Sequence, residues 1–105
     1  MHIPDGWTLL DLHNHTHRSF DAVNRPEDYA RAHARGRFDV LAITDHNRID
    51  GARELAAVAP FPVVVGMEID TADGELIGLF LDEAIAPGRP ARETATLIRE
   101  QGGLV

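Results

Sequence analysis

His13 and His15 are separated by one residue in Asp11-Leu12-His13-Asn14-His15-Thr16. On an extended backbone residues i and i+2 project to the same side, so a His-x-His pair at the end of a strand offers two imidazoles to one ion. By itself the pair is equally well a polar loop with incidental histidines. The rest of the chain separates these readings. Asp21 follows within reach of a short loop, His46 follows the second apolar run in Ile43-Thr44-Asp45-His46-Asn47, and Glu68 follows the third in Val65-Gly66-Met67-Glu68. Three successive apolar segments thus each end in a metal-capable side chain, and in α/β folds sites gather at the carboxyl ends of strands. Imidazole and carboxylate without sulfur suit zinc, manganese or iron. Two or three divalent ions held close together need a bridging carboxylate, and Glu68 is the natural candidate. Such a cluster generates a hydroxide at neutral pH and clamps phosphoryl oxygens during in-line displacement, so the chemistry expected is phosphate-ester hydrolysis. It needs no covalent nucleophile, which matches a chain with no cysteine and no serine elbow motif.

Composition narrows the classes further. A chain of 105 residues is one small domain by length. No run is long enough to span a bilayer and no signal-peptide pattern is present, so cytoplasmic residence without membrane contact is expected. The absence of cysteine excludes disulfides and thiolate metal sites. The formal charge is −7, which opposes broad electrostatic binding to nucleic-acid phosphates. Phosphate affinity must come from a local site, and bound divalent cations would provide it by inverting the local field.

The elements that must position these residues alternate in type. Thr8–Leu12 reads as a strand, followed by a polar loop to Asn24. Pro26-Glu27-Asp28 opens a helix running to about Arg35, with Gly36 as its stop. Phe38–Ile43 is a second strand and Thr44–Asn47 a loop. Asp50 is placed to cap a helix through Val58 that carries Ala52, Leu55, Ala56 and Ala59 at helical spacing. Phe61–Gly66 is a third strand, residues 72–75 a hairpin-like turn, Leu76–Leu81 a fourth strand, and Ala91–Gln101 a third helix. Gly102-Gly103-Leu104-Val105 reads as the entry to a fifth strand. Apolar strands separated by helices predict a parallel sheet covered on both faces, in an α/β barrel or an open doubly wound sheet. Because a chain that stops at Val105 stops inside a buried strand, the expectation is the front part of a longer domain.

Asp11-Leu12-His13-x-His15-Thr16, Ser19-x-Asp21, Thr44-Asp45-His46-Asn47 and Gly66-x-Glu68 together resemble the PHP (polymerase and histidinol phosphatase) family. The resemblance continues through Gly74-Glu75-Leu76-Ile77-Gly78-Leu79-Phe80-Leu81 and Ile98-Arg99-Glu100-Gln101-Gly102-Gly103-Leu104-Val105, in the family's order. It implies the N-terminal portion of a distorted (β/α)7 TIM-like barrel, with about four to five parallel-type strands and three helices over residues 1–105. It also implies a di- or trinuclear metal site that hydrolyses phosphomonoesters or phosphodiesters. On this resemblance His13 and His15 bind the first metal, Glu68 bridges two, and Asp21 and His46 serve a third ion. Glu68 and Asp45 are then the candidate catalytic residues, and Asp11 and Asp45 orient neighbouring imidazoles. Two positions depart from the family. A histidine ligand of the fourth strand is replaced by Glu75, which either ligates in its place or is a solvated turn carboxylate. A later His-Pro motif and an Asp-x-His have no counterpart in these residues.

Arg18 and Arg48 flank the proposed metal loops, where a guanidinium could hold substrate phosphate bidentately. His17 and His33 are expected at the surface and His2 in the terminus, while Trp7 and Phe20 are expected to pack or to shield the site's mouth. The function expected is a metal-dependent phosphoesterase for a small phosphorylated metabolite or nucleotide, with histidinol-phosphate phosphatase as a narrower form. The alternatives are a non-catalytic metal-binding PHP module, such as one attached to a bacterial DNA polymerase, and an inactive fragment that self-associates through unpaired sheet edges.

Overall fold

A computed structural model describes residues 4–105, so His2 lies outside the described residues. The elements are β1 (Leu10–Asn14), α1 (Pro26–Ala34), β2 (Val40–Ile43), α2 (Asp50–Val58), β3 (Val63–Thr71), β4 (Gly74–Leu79) and α3 (Ala91–Glu100). Helix ends follow the local chemistry. Pro26 occupies the first position of α1, Asp28 accepts the Arg25 N–H at 2.8 Å, and Gly36 takes φ +73 just beyond the end. The α2 start departs from the expected cap. Ile49 holds the cap position, and Asp50 is the first helical residue with its carboxylate on Arg48.

The four strands form one sheet in sequence order, with β1, β2 and β3 parallel through helical crossovers. β4 runs antiparallel to β3, which corrects the expectation of an all-parallel set. Thr71 pairs with Gly74, leaving Ala72 and Asp73 as the connection; two residues can reverse a chain but cannot carry a crossover. The expected fifth strand is reduced to a single antiparallel bridge between Leu104 and Leu79. β3 also runs five residues past its expected end at Gly66, because Met67-Glu68-Ile69-Asp70-Thr71 alternates apolar and polar with the period of a strand. Glu68 therefore stands within β3 and not after it.

The helices cover one face of the sheet, not both. Leu41 and Ile43 of β2, with Val63 and Val65 of β3, pack on Tyr29 of α1 and on Ala52 and Leu55 of α2. Further along the same face, Met67 and Ile69 pack with Ile49, Leu81, Ile85 and Ile98 of α3. Strand alternation sends Glu68 and Asp70 to the opposite face, and cross-strand register puts Glu75 beside Asp70 there. A Cβ on Gly78 would meet Cγ1 and Cδ1 of Ile98 at 3.1 Å, so the bare backbone at that position lets α3 sit close to β4. Burying Ile98 completely contributes about 1.5–3 kcal/mol. β1 forms an edge of the sheet, and its Leu10 and Leu12 are exposed. No helix among the described residues is long and apolar enough to cross a membrane.

Candidate metal centre

Three groups of histidine and carboxylate donors lie side by side, each with its ligand atoms within 4.8 Å of one another: His13, His15 and Glu68; His15, Asp21 and His46; and His46, Asp70 and Glu75. In the first, Oε1 of Glu68 lies 2.6 Å from Nε2 of His13 and 3.1 Å from Nε2 of His15. In the second, Nδ1 of His15 is 3.0 and 3.2 Å from the two Asp21 oxygens, and Nε2 of His46 is 2.9 Å from Oδ2. In the third, Nδ1 of His46 is 3.9 Å from Oε2 of Glu75 and also 3.7 Å from Oε2 of Glu68. Two donors bonded to one tetrahedral zinc at about 2.0–2.1 Å lie roughly 3.3 Å apart. The contacts of 3.0–3.9 Å lie near that separation, while Glu68–His13 at 2.6 Å and Asp21–His46 at 2.9 Å are direct hydrogen bonds that must open for a cation to enter. The donor chemistry, nitrogen and oxygen without sulfur, fits zinc, manganese or iron.

Backbone topology brings these groups together. The register of β1 against β2 shifts between Asp11 and Asn14. That irregularity leaves Asp11 beside Leu41, on the helix-covered side, while His13 reaches Glu68 on the other. Asp11 makes no side-chain hydrogen bond to an imidazole among the described residues. Past β1, Tyr29 of α1 donates its hydroxyl to the His15 carbonyl at 2.6 Å. Burial pushes the Tyr29 phenol up to about 12, consistent with a hydroxyl that keeps its proton.

Asp45 is fully buried, and its carboxylate accepts both the Thr16 N–H and the Thr16 hydroxyl at 2.6 Å. Its side chain thus fixes the turn after His15 and makes no hydrogen bond to an imidazole among the described residues. Burial raises the Asp45 pKa, and the two bonds from Thr16 oppose that rise. Gly51, in the first turn of α2, backs this pair so closely that a Cβ would overlap Oγ1 of Thr16 and Oδ2 of Asp45.

His46 is held from both sides. Its N–H reaches the buried Ser19 hydroxyl oxygen at 3.3 Å, and the Phe20 ring lies 4.8 Å from its own. Asn47, next in the chain, takes a left-handed φ of +54. Its amide NH2 donates to Oδ2 of Asp70 and its amide oxygen accepts the Asp70 N–H, both at 2.9 Å. Partial desolvation works to raise the Asp21 carboxyl, but hydrogen bonds from Ser19, His15 and His46 overcome it and bring it down to about 2.

Of the residues singled out from sequence, His13, His15, Asp21, His46, Glu68 and Glu75 converge. The arginines are otherwise engaged. Nε and Nη2 of Arg48 form a fork on Asp50 at 2.6 and 2.5 Å, its Nη1 donates to the Arg18 carbonyl, and Nε of Arg18 pairs with Glu54 at 3.0 Å. His17 is not simply solvated, since its Nδ1 is buried without a partner among the described residues. His33 is not on a free helix face either; its ring packs 4.7 Å from Phe61 and 5.5 Å from Phe38. Trp7 is exposed. Asp70 is not legible to a reading that ends β3 at Gly66, and Asn47, though part of the motif after β2, carries no role there; the signal for Asp70 is its place two residues beyond Glu68 in an alternating stretch.

The family model for the PHP domain matches residues 11–102. The chain belongs to the PHP family. This PHP chain is 40% identical over 107 residues to an uncharacterized protein of Methanocaldococcus jannaschii, MJ1587, covering 90% of its own length and 63% of that protein. It is 35% identical over 96 residues to a second uncharacterized protein of the same organism, MJ0417, covering 91% of its own length and 37% of the relative. The PHP chain therefore spans less than two thirds of each of these relatives.

Proposed function

We propose that this chain provides the metal-binding half of a phosphoesterase that hydrolyses a small phosphorylated metabolite or nucleotide, within a distorted (β/α)7 barrel. The observation that carries this reading is the convergence of three histidines and four carboxylates on the helix-free face of a PHP sheet. When bound, two or three divalent cations supply acidification of water and neutralisation of phosphoryl charge. The chain's own side chains set the stage. Glu68, the most enclosed carboxylate of the group, presents one oxygen toward His13 and His15 and the other toward His46. Asp21 lies within hydrogen-bond distance of both the His15 and His46 rings and so holds them in place relative to each other. Asp45 and Thr16 hold the loop between them.

An acidic, cysteine-free chain suits a cytoplasmic enzyme and not a general nucleic-acid binder. The test is turnover of an aryl phosphate ester and an aryl phosphodiester by the chain, or by any longer polypeptide that carries it, after chelation and readdition of Mn²⁺ or Zn²⁺. Restored turnover that falls at least a hundredfold in Glu68→Gln is the expected result. Absence of turnover with every metal, in protein that binds the metal, overturns it. That outcome would favour the second reading, a non-catalytic metal-binding module, for which the commitment of Arg48 to Asp50 speaks.

A further inference from the structure

We infer that Phe20 is a specificity-determining residue of this site, an open aromatic platform on which a planar aromatic group of the phosphoester substrate stacks. The inference rests on the phosphoesterase reading above and deepens it by naming the substrate class. Residues 17–24 belong to the polar loop between β1 and α1, and they include two large apolar side chains, Phe20 and Val23. Both are turned to solvent, Phe20 at 86% exposure and Val23 at 85%. A single exposed apolar residue needs no explanation, but two on one short loop beside a donor cluster are the kind of surface that takes a ligand.

The bonding of the loop holds the Phe20 ring outside. The His17 N–H closes the loop on the Asn24 carbonyl at 2.6 Å, and the Ser19 N–H meets the Thr16 carbonyl at 3.0 Å. Ser19 is buried, and its hydroxyl oxygen accepts the His46 N–H. Asp21 lies on the His15 and His46 rings. With one neighbour committed to the interior and the other to the donor cluster, Phe20 is fixed at the mouth between them. One side of its ring lies on the His46 imidazole, with 4.8 Å between centroids and a tilt of 37°. The rest of the ring is open to water, and covering it is a gain only when a ligand does so.

Position makes this ring part of the site. Only the His46 imidazole separates it from Asp21, Glu68 and Glu75, the carboxylates that face the same imidazole. A phosphate held at that cluster leaves its alcohol portion within reach of Phe20. Arg18 and Arg48 are bonded to Glu54 and Asp50, whereas the outer side of Phe20 is uncovered. A flat aromatic group laid on that side gains quadrupole attraction beyond the area it covers, and a saturated ring of the same size gains the area alone. The platform therefore separates esters by the planarity of the alcohol and not by its charge.

The test compares benzyl phosphate with cyclohexylmethyl phosphate, two alkyl esters that differ in the flatness of the ring. Adenosine monophosphate against ribose 5-phosphate repeats the comparison with a base. The chain, or a longer polypeptide that carries it, is loaded with Mn²⁺ or Zn²⁺ and its metal content measured alongside. Wild type should favour the aromatic member of at least one pair about tenfold in kcat/KM. A preference in the benzyl pair points to an aryl substrate and one in the adenosine pair to a nucleotide; either supports the inference. Phe20→Ala and Phe20→Leu should bring the ratio toward one, chiefly through KM, and Phe20→Trp should keep it. No preference in the wild type, or a preference that survives in Phe20→Ala, overturns the inference. Equal losses on both members with weaker metal binding also overturn it, since the ring then only props His46. Titration calorimetry with benzylphosphonate and cyclohexylmethylphosphonate reads the same preference without turnover. Absence of turnover beside a Phe20-dependent phosphonate preference overturns the phosphoesterase reading and leaves the aromatic platform standing; turnover without the preference does the reverse.

Discussion

At the scale of single residues, the metal groups rest on contacts made by side chains that bind no metal. The buried Asp45 carboxylate accepts two short bonds from Thr16 that offset part of its burial cost, and Gly51 lets α2 approach that pair. Gly51→Ala must push Thr16 and Asp45 apart, because a Cβ there overlaps both. The expected cost is about 1–3 kcal/mol of stability, as for other overpacked interiors. Urea unfolding measures it, and metal titration should show weakened binding in the same variant, since the turn after His15 moves with Thr16. The importance of Thr16 and Asp45 was legible in the sequence as part of a motif, but their partnership was not. Residues 29 positions apart meet only once β1 and β2 are paired, so the motif alone points Asp45 at an imidazole, whereas its bonds among the described residues go to Thr16.

At the scale of elements, the three helices and four strands follow their local signals closely, and the departures have physical causes. α1 and α2 begin at the residues that Pro26 and Asp50 mark. β1 is displaced by two residues from Thr8–Leu12, because the polar His13 and Asn14 lie on the strand that a hydrophobicity reading ends at Leu12. The antiparallel course of β4 was implicit in the turn at residues 72–75, yet strand composition alone pointed to a parallel set. α1 contributes more than packing, since its Tyr29 hydroxyl ties the helix to the His15 carbonyl. Tyr29→Phe should cost about 1 kcal/mol by loss of that bond. The sign of its pH dependence follows from a folded pKa of about 12 against the ordinary 10. The protonated phenol is favoured by folding, so its stabilisation is complete below pH 10 and lost as pH rises toward and through 12. Denaturant midpoints for wild type should fall over that window, and those of Tyr29→Phe should fall less.

At the scale of the whole molecule, four clustered carboxylates repel one another when no cation is present, a repulsion their bonds to the imidazoles offset only in part, so metal and stability are linked. A cation at a hundredfold excess over its Kd stabilises the folded state by about 2.7 kcal/mol, which for a chain of this size raises Tm by about 10 °C or more. Calorimetric scans with and without chelator check this; an unchanged Tm would contradict it. The exposed edge of β1, with Leu10 and Leu12, predicts concentration-dependent self-association of the isolated chain. Leu12→Lys should reduce it in sedimentation measurements without altering metal content. Helices lie on one face of the sheet, as in a partial barrel and unlike an open doubly wound sheet; periodicity reports that a strand is buried, not what buries it. With the helices gathered on one side, the other is left for Glu68, Asp70 and Glu75.

The contact of Ile98 with the bare backbone of Gly78 makes one volume out of two positions that lie far apart along the chain. Gly78→Ala alone forces Ile98 aside by a few tenths of an ångström, and Ile98→Val alone leaves a small void. Made together, the methyl added to the strand occupies space vacated on the helix. The double substitution should therefore cost less than the sum of the single ones. Exchanges at 78 and 98 are best read as a pair, a size trade between a strand and the helix lying on it.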